Sequence, residues 1–433
     1  MDPKSLKTSI LSGGIDTGLL DCGRKSGLPD ARTRCAGAIE AFATLFGSGR
    51  AVSLYSVGGR TEIGGNHTDH NHGQVIAASV DLDILAVAAP RSDGRITIHS
   101  EGFAPDTAEP SMLEEADPAA YFTSRAMIAG VARGFLDRGY AVGGLDAYTT
   151  SAIPKGAGLS SSAAFGVMVG NMLNHLYNGG RIDSTELARI AQFAENTFFG
   201  KPCGLMDQLA CATGGIVHMD FADPACPKIK GLSGGLTAGY TMCIVNTGAS
   251  HADLGEEYAA IPREMGQVAA LFGQPVLRGL SLQALLARAG EIRRTCGDRA
   301  LLRAIHFIEE NRRVDAQARA LAAGETEQFL RLVLESGRSS LCYLQNGYAA
   351  KNPAEQGVPL ALCLTEAFFA GEQAAWRLHG GGFGGTIQVF APAARTEDYK
   401  RYIETFFGAG ACHVVSIRRA GAVCLWKGED LHA

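Results

Sequence analysis

Pro154-Lys155-Gly156-Ala157-Gly158-Leu159-Ser160-Ser161-Ser162-Ala163-Ala164 joins a strand-like run, Gly144–Ser151, to Ala163–Leu176, which is apolar on most faces and reads as a buried helix. Glycines at such a turn let the backbone wrap a phosphate, and the free amides and dipole of the helix that follows attract it. The serine hydroxyls can cap the helix, bond phosphate oxygens or reach a magnesium ion. No G-x-x-x-x-G-K-[ST] sequence occurs anywhere in the chain, so this is not the P-loop of the common nucleotidases. Taken alone, the stretch is equally an ordinary capped helix after a turn.

Around it, glycine is in excess: 55 of 433 residues, roughly twice the usual ~7%. The glycines cluster at Gly58–Gly73, Gly156–Gly158 and Gly380–Gly385, which suggests three loops that approach a ligand closely. A helix is expected over Ala31–Phe46, ending at Gly47, and strands over Ala51–Val57, Val75–Val80, Ile84–Ala89 and Arg95–Ser100. Tyr121–Arg138 has helical spacing. Further on come a strand at Tyr240–Val245, helices over Ser281–Ala322 with breaks, Thr326–Ser336 and Pro359–Ala370, and strands near Thr386–Phe390 and Val414–Ile417. Strands and helices mix without strict alternation, which favours α+β over a doubly wound sheet. The length favours two domains. Residues 1–30 read as a loosely held arm, residues 31–235 as a first domain and residues 236–433 as a second, with a linker-like stretch at 231–239.

A net charge of −5 disfavours a nucleic-acid binder, and no 18-residue apolar run suggests a membrane span. The eleven cysteines are odd in number and contain no C-x-x-C pair, as expected of reduced thiols in a cytoplasmic protein.

Three further constellations stand out. Gly59-Arg60-Thr61-Glu62-Ile63-Gly64-Gly65-Asn66-His67-Thr68-Asp69-His70-Asn71-His72 is too polar for core and well suited to sugar hydroxyls. Its three histidines leave open a metal or a surface role. Glu195-Asn196 is followed by Gly200-Lys201-Pro202-Cys203-Gly204-Leu205-Met206-Asp207-Gln208, where a carboxylate in an apolar frame needs a partner, and Arg60 is the obvious one. Glu195 itself has no basic neighbour in sequence to explain it. His379-Gly380-Gly381-Gly382-Phe383-Gly384-Gly385 precedes a strand and alone is as consistent with a tight turn.

In this order the motifs resemble those of the GHMP kinase superfamily, and within it the galactokinase family. The family's G-R-V-N-L-I-G-E-H-T-D-Y-N is similar to Gly59–Asn71, P-x-G-[AG]-G-L-S-S-S-A to Pro154–Ala163, P-C-G-I-M-D-Q to Pro202–Gln208, and G-[AG]-G-F-G-G to Gly380–Gly385. The resemblance runs from about Phe46 onward.

It implies a two-lobed α+β fold, with an N-terminal domain like domain 2 of ribosomal protein S5, a ferredoxin-like C-terminal domain and an active site between them. It implies an ATP- and magnesium-dependent sugar 1-kinase acting on galactose. Asp207 and Arg60 would be catalytic. Asn66, His67, Asp69, Gly204 and Tyr258 would touch the sugar, Tyr258 lying seven residues after His251 as in the family. Gly156, Ala157, Gly158, Leu159, Ser160, Ser161 and Ser162 would hold ATP, and Ser162 and Glu195 the metal. The partners would be sugar and ATP only, with no nucleic acid or membrane, and the protein a monomer or weak dimer. The family's Glu is Asn66 here, its Tyr is His70, and its Asn-Leu-Ile is Glu62-Ile63-Gly64. A galacturonate- or N-acetylgalactosamine-like substrate is therefore the alternative, and a non-catalytic galactose sensor a further one.

Overall fold

The computed structural model describes residues 1–20, 29–154, 156–232, 239–248, 254–383 and 385–428. Apolar runs on both sides of the first glycine cluster pair antiparallel as β1 (Ser53–Gly64) and β2 (Gln74–Arg91). β3 (Ile96–Ser100), β4 (Asp106–Ala108), β5 (Gly144–Ser151), β6 (Ile216–Asp220) and β7 (Lys228–Leu232) extend this sheet, with β3 parallel to β5. A second, antiparallel sheet of four strands contains β8 (Tyr240–Asn246), β9 (Ala375–His379), β10 (Thr386–Pro392) and β11 (Cys412–Val415), in the order β11-β8-β10-β9. β12 (Val423–Trp426) then returns to the first sheet beside β1, with Leu54 opposite Trp426.

Both faces of the first sheet's central strands are covered: β1 and nearly all of β2 are buried without a break, alternate side chains entering opposite cores. Leu54, Leu85, Val87 and Ala89 face a cluster with α1 (Pro3–Leu11) and α2 (Ala31–Phe46), where Leu6, Ile10, Ile39 and Phe42 are buried. Tyr55, Val57, Ile84, Ala86 and Ala88 face the main core with α3 (Ser124–Leu136), α4 (Ser161–Tyr177), α5 (Ser184–Phe193) and α6 (Met206–Thr213). In the second lobe α7 (Gly255–Leu271), α8 (Leu282–Ala287), α9 (Ala289–Cys296) and α10 (Asp298–Ala323) share one apolar cluster. α11 (Thr326–Ser339) packs on β9, and α12 (Gly357–Phe368) and α13 (Thr396–Phe407) cover the four-stranded sheet. Among the described residues no helix is long and apolar enough to cross a membrane.

Several expectations need correction. Residues 3–11 are not a loose arm. Asp2 caps a helix by accepting from the amides of Lys4 and Ser5 at 3.0 and 3.1 Å, Pro3 pre-sets its first turn, and Leu6 and Ile10 bury themselves against α2. Each such leucine or isoleucine contributes on the order of 2 kcal/mol. The division at 235/236 is crossed by the returning β12 and by the fully buried Arg418, whose guanidinium reaches Asp83 of β2 at 3.2 Å. Of the linker-like stretch, Gly231 and Leu232 end β7, and 233–238 lie outside the described residues. β1 runs on into the first glycine cluster as far as Gly64, so the first six of that motif's fourteen residues, Gly59–Gly64, are strand rather than loop.

Candidate active site

β5 delivers the chain into the serine–glycine turn, and β1 lies beneath it: the Arg60 amide donates to the Leu159 carbonyl at 3.1 Å. Gly158 has φ +67°, and a Cβ there would lie 2.7 Å from Thr386 Oγ1, so the turn needs glycine for both conformation and space. Ser160, at φ +53°, precedes α4 but does not cap it; its hydroxyl donates to Asp207 instead. The amides of the first helical turn thus keep no side-chain acceptor, the arrangement that suits an anion. A cavity of about 270 Å³ opens over this turn, walled by Arg60, Lys201, Asp207, Tyr258, His379 and the Gly380–Gly382 turn. Lys155, His251 and Gly384 lie outside the described residues.

Arg60 and Asp207, 147 residues apart, meet at the cavity wall in a two-pronged pair: Nε to Oδ1 at 2.6 Å and Nη2 to Oδ2 at 2.7 Å. The remaining guanidinium nitrogen, Nη1, donates to the Gly158 carbonyl. Arg60 side-chain exposure is 8% and that of Asp207 23%, so the carboxylate still meets the cavity. Burial alone would push the Asp207 carboxyl up, but Arg60 and Ser160 outweigh it and hold it below the ordinary carboxylate range. Next to them His379 is buried between Thr61 Oγ1 at 3.0 Å and Thr386 Oγ1 at 2.9 Å, and burial with Arg60 and Arg377 nearby keeps it neutral.

Glu195 sits on a π-helical turn, Ala194–Phe198, that continues α5. It is not without a basic neighbour: Lys201 Nζ approaches Oε1 at 2.9 Å, and Ser162 Oγ donates to the same oxygen at 2.8 Å. Gln208 Nε2 donates to Oε2 at 2.7 Å. Burial would lower the Lys201 ammonium, but Glu195 more than offsets it and keeps it charged. Lys201 and Gln208 stand inside a motif the sequence singles out, yet neither carries an expected role. A cationic side chain between Glu195 and Asp207 was the available signal for Lys201.

The expected sugar contacts divide. A Cβ on Gly204 would lie 2.1 Å from Asp69 Oδ2, so those two residues touch. His67 Nε2 lies 3.0 Å from the Gly381 carbonyl, and Tyr258 donates to the Gly382 carbonyl at 3.0 Å. The His67 and Tyr258 rings are 6.5 Å apart. His67 Nδ1 is buried with no partner among the described residues. Asn66 is a correction. Its side chain is fully buried and spent within the protein, donating to Glu62 at 3.0 Å and the Gly380 carbonyl at 2.6 Å and accepting from Asn346 at 2.8 Å. Glu62 in turn holds the fully buried Arg377 at 2.7 Å. The family pattern N-x-x-x-E is therefore transposed to Glu62 and Asn66, with the carboxylate facing an arginine of the second lobe. As for the histidines, no group of three His, Cys, Asp or Glu placed to hold a metal occurs among the described residues.

Residues 126–215 match the family model of the GHMP kinases N-terminal domain, and residues 40–90 match the galactokinase galactose-binding signature. The chain is similar to Lactococcus lactis galactokinase solved with galactose, at 22% identity and a TM-score of 0.76, covering 89% of this chain and 98% of that one. It is also similar to Methanococcus jannaschii mevalonate kinase, at 14% identity and a TM-score of 0.58 over 85% and 98% of the two chains. A D-glycero-D-manno-heptose 1-phosphate kinase is comparable, at 15%, 0.57, 88% and 100%. At these identities the structural likeness speaks to the fold. The fold is that of the GHMP kinases, and residues 126–215 carry the match to their N-terminal domain. The match to the galactokinase galactose-binding signature spans β1, the loop that follows it and most of β2.

Proposed function

We propose that this chain transfers the terminal phosphoryl group of ATP to the anomeric hydroxyl of galactose, giving galactose 1-phosphate and ADP. The observation that carries the reading is the Arg60–Asp207 fork on the wall of the cavity that the serine–glycine turn opens onto. Phosphoryl transfer asks a protein for in-line positioning and neutralised charge rather than covalent chemistry. The turn Gly156–Ser162 and the uncapped start of α4 hold the phosphates by their amides. Asp207, ionised and aimed into the cavity, accepts the hydrogen bond of the anomeric hydroxyl and turns its oxygen toward phosphorus. With its acidity raised by Arg60, it is a better orienting group than base, and it takes the proton only as the new oxygen–phosphorus bond forms and the bond to ADP breaks. Arg60 steadies the charge that spreads over the transferred group.

The paired oxygens of Ser162 and Glu195 are hard donors suited to magnesium, and the lysine ammonium against Glu195 supports a cation there. Magnesium held there would neutralise phosphate charge. His67, Asp69, Gly204 and Tyr258 would bound the sugar. Cys203, Cys211, Cys226, Cys243, Cys296, Cys342, Cys363, Cys412 and Cys424 are free thiols, which suits an enzyme of the cytoplasm. ADP release measured over galactose, galacturonate and N-acetylgalactosamine tests the reading. Galactose should lead by kcat/KM, and no turnover with any of them refutes it.

A further inference from the structure

Resting on the kinase reading above, this inference concerns the cation already present at Glu195. Lys201 follows Gly200, whose φ of +77° makes the turn that brings the chain back from the π-helical segment. The turn is pinned by the Lys201 amide donating to the Glu195 carbonyl at 3.0 Å. From there the ammonium reaches the very oxygen of Glu195 that Ser162 also contacts, and 50% of the lysine side chain remains exposed at the cavity. Glu195 itself is 2% exposed and its second oxygen is fixed by Gln208, so the carboxylate stays put while the lysine does not have to. One carboxylate oxygen and one hydroxyl cannot serve an ammonium and a divalent ion together. A lysine is a flexible four-carbon stem with three donors, and phosphate oxygens are its natural alternative partner.

We infer that Lys201 is an exchangeable cation: it occupies Glu195 Oε1, beside Ser162, in the free enzyme, and on arrival of magnesium–ATP it moves to the oxygens of the transferred phosphoryl group. The lysine thereby keeps Glu195 compensated when the nucleotide is absent and adds a positive charge to the phosphates when it is present.

The test is Lys201→Met, which keeps the length and removes the charge. Manganese, read by its electron spin resonance, stands in for magnesium. Without nucleotide, the variant should bind manganese about tenfold more tightly than wild type, because the competing ammonium is gone. At saturating ATP and sugar its kcat should fall roughly 10- to 100-fold, the worth of one charge-assisted contact, with the sugar KM unchanged. Equal manganese affinity, no manganese binding to either protein, or a kcat within threefold of wild type each overturn the inference. A urea midpoint matching wild type establishes that the variant is folded, and Lys201→Gln repeats the comparison where it is not. A wild type without ATP-dependent sugar phosphorylation sinks the proposed function instead, and the manganese comparison still decides which cation occupies Glu195 Oε1.

Discussion

Restoring the family's glutamate at position 66 alone should damage this protein rather than retune it. Asn66 is fully buried and its amide nitrogen lies 3.0 Å from the Glu62 carboxylate. Asn66→Glu would set two carboxylates side by side, and one must take a proton. Holding a carboxyl with an ordinary value of about 4.3 protonated at pH 7 costs about 4 kcal/mol, and the extra methylene in a filled space adds about 1. Burial already pushes Glu62 up against the pull of Arg377, so the pair has little capacity to hold a second charge. The double swap Glu62→Asn with Asn66→Glu returns the site to a single carboxylate within reach of Arg377, and should recover at least half of the loss. Urea denaturation of wild type, both single variants and the swap gives the cycle. Because the penalty is one of protonation, the Asn66→Glu deficit should shrink as pH falls from 7.5 to 5. An Asn66→Glu protein within 1 kcal/mol of wild type, or a deficit indifferent to pH, would refute the transposition argument. The ratio of kcat/KM for galactose and galacturonate then belongs on the swap, where the fold is intact.

Asp207→Asn should lower kcat by ~10²–10⁴-fold while galactose binding persists by calorimetry, and a variant within a few-fold of wild type would mean that another group orients the hydroxyl. Glu195→Ala should reduce turnover far more than sugar affinity, and full activity of that variant in EDTA would remove magnesium from the scheme. His67 is pushed down to about 4 from 6.5, first by burial and then by His70. Its folded form favours the neutral ring, so its contribution is complete above pH 6.5 and is lost as pH falls toward 4, by about 3 kcal/mol in all. His67→Gln should flatten the acid side of the stability profile, measured by urea midpoints at each pH; an unchanged profile would show that other groups set it.

Much of this could be read from the chain. The helix Ala31–Phe46 and the strand Gly144–Ser151 are found where apolar spacing and flanking glycines put them. The partnership of Arg60 with Asp207 followed from the cost of an uncompensated carboxylate. What escaped has physical causes. Glycines at 58 and 59 look like a loop, yet they are strand residues without side chains because neighbours crowd them: a Cβ would lie 2.6 Å from the Val80 carbonyl at one and 2.8 Å from that of Leu159 at the other. α7 is hard to read from the chain because Pro262 interrupts an otherwise helical pattern, although the helix continues through it. The fate of Asn66 depends on Gly380, Asn346 and Glu62, and residues some 280 to 314 positions away leave no mark on local sequence.

The return of β12 to β1 also bears on how the protein is made. Leu54 leaves the ribosome about 370 residues before its partner Trp426, which at ordinary synthesis rates is roughly 20 to 70 seconds. For that interval β1 is a sheet edge with unpaired amides and carbonyls, open to pairing with another nascent chain. Truncation just before Val423 would make that exposure permanent, so such a product should gather in inclusion bodies although it keeps every residue of the candidate active site.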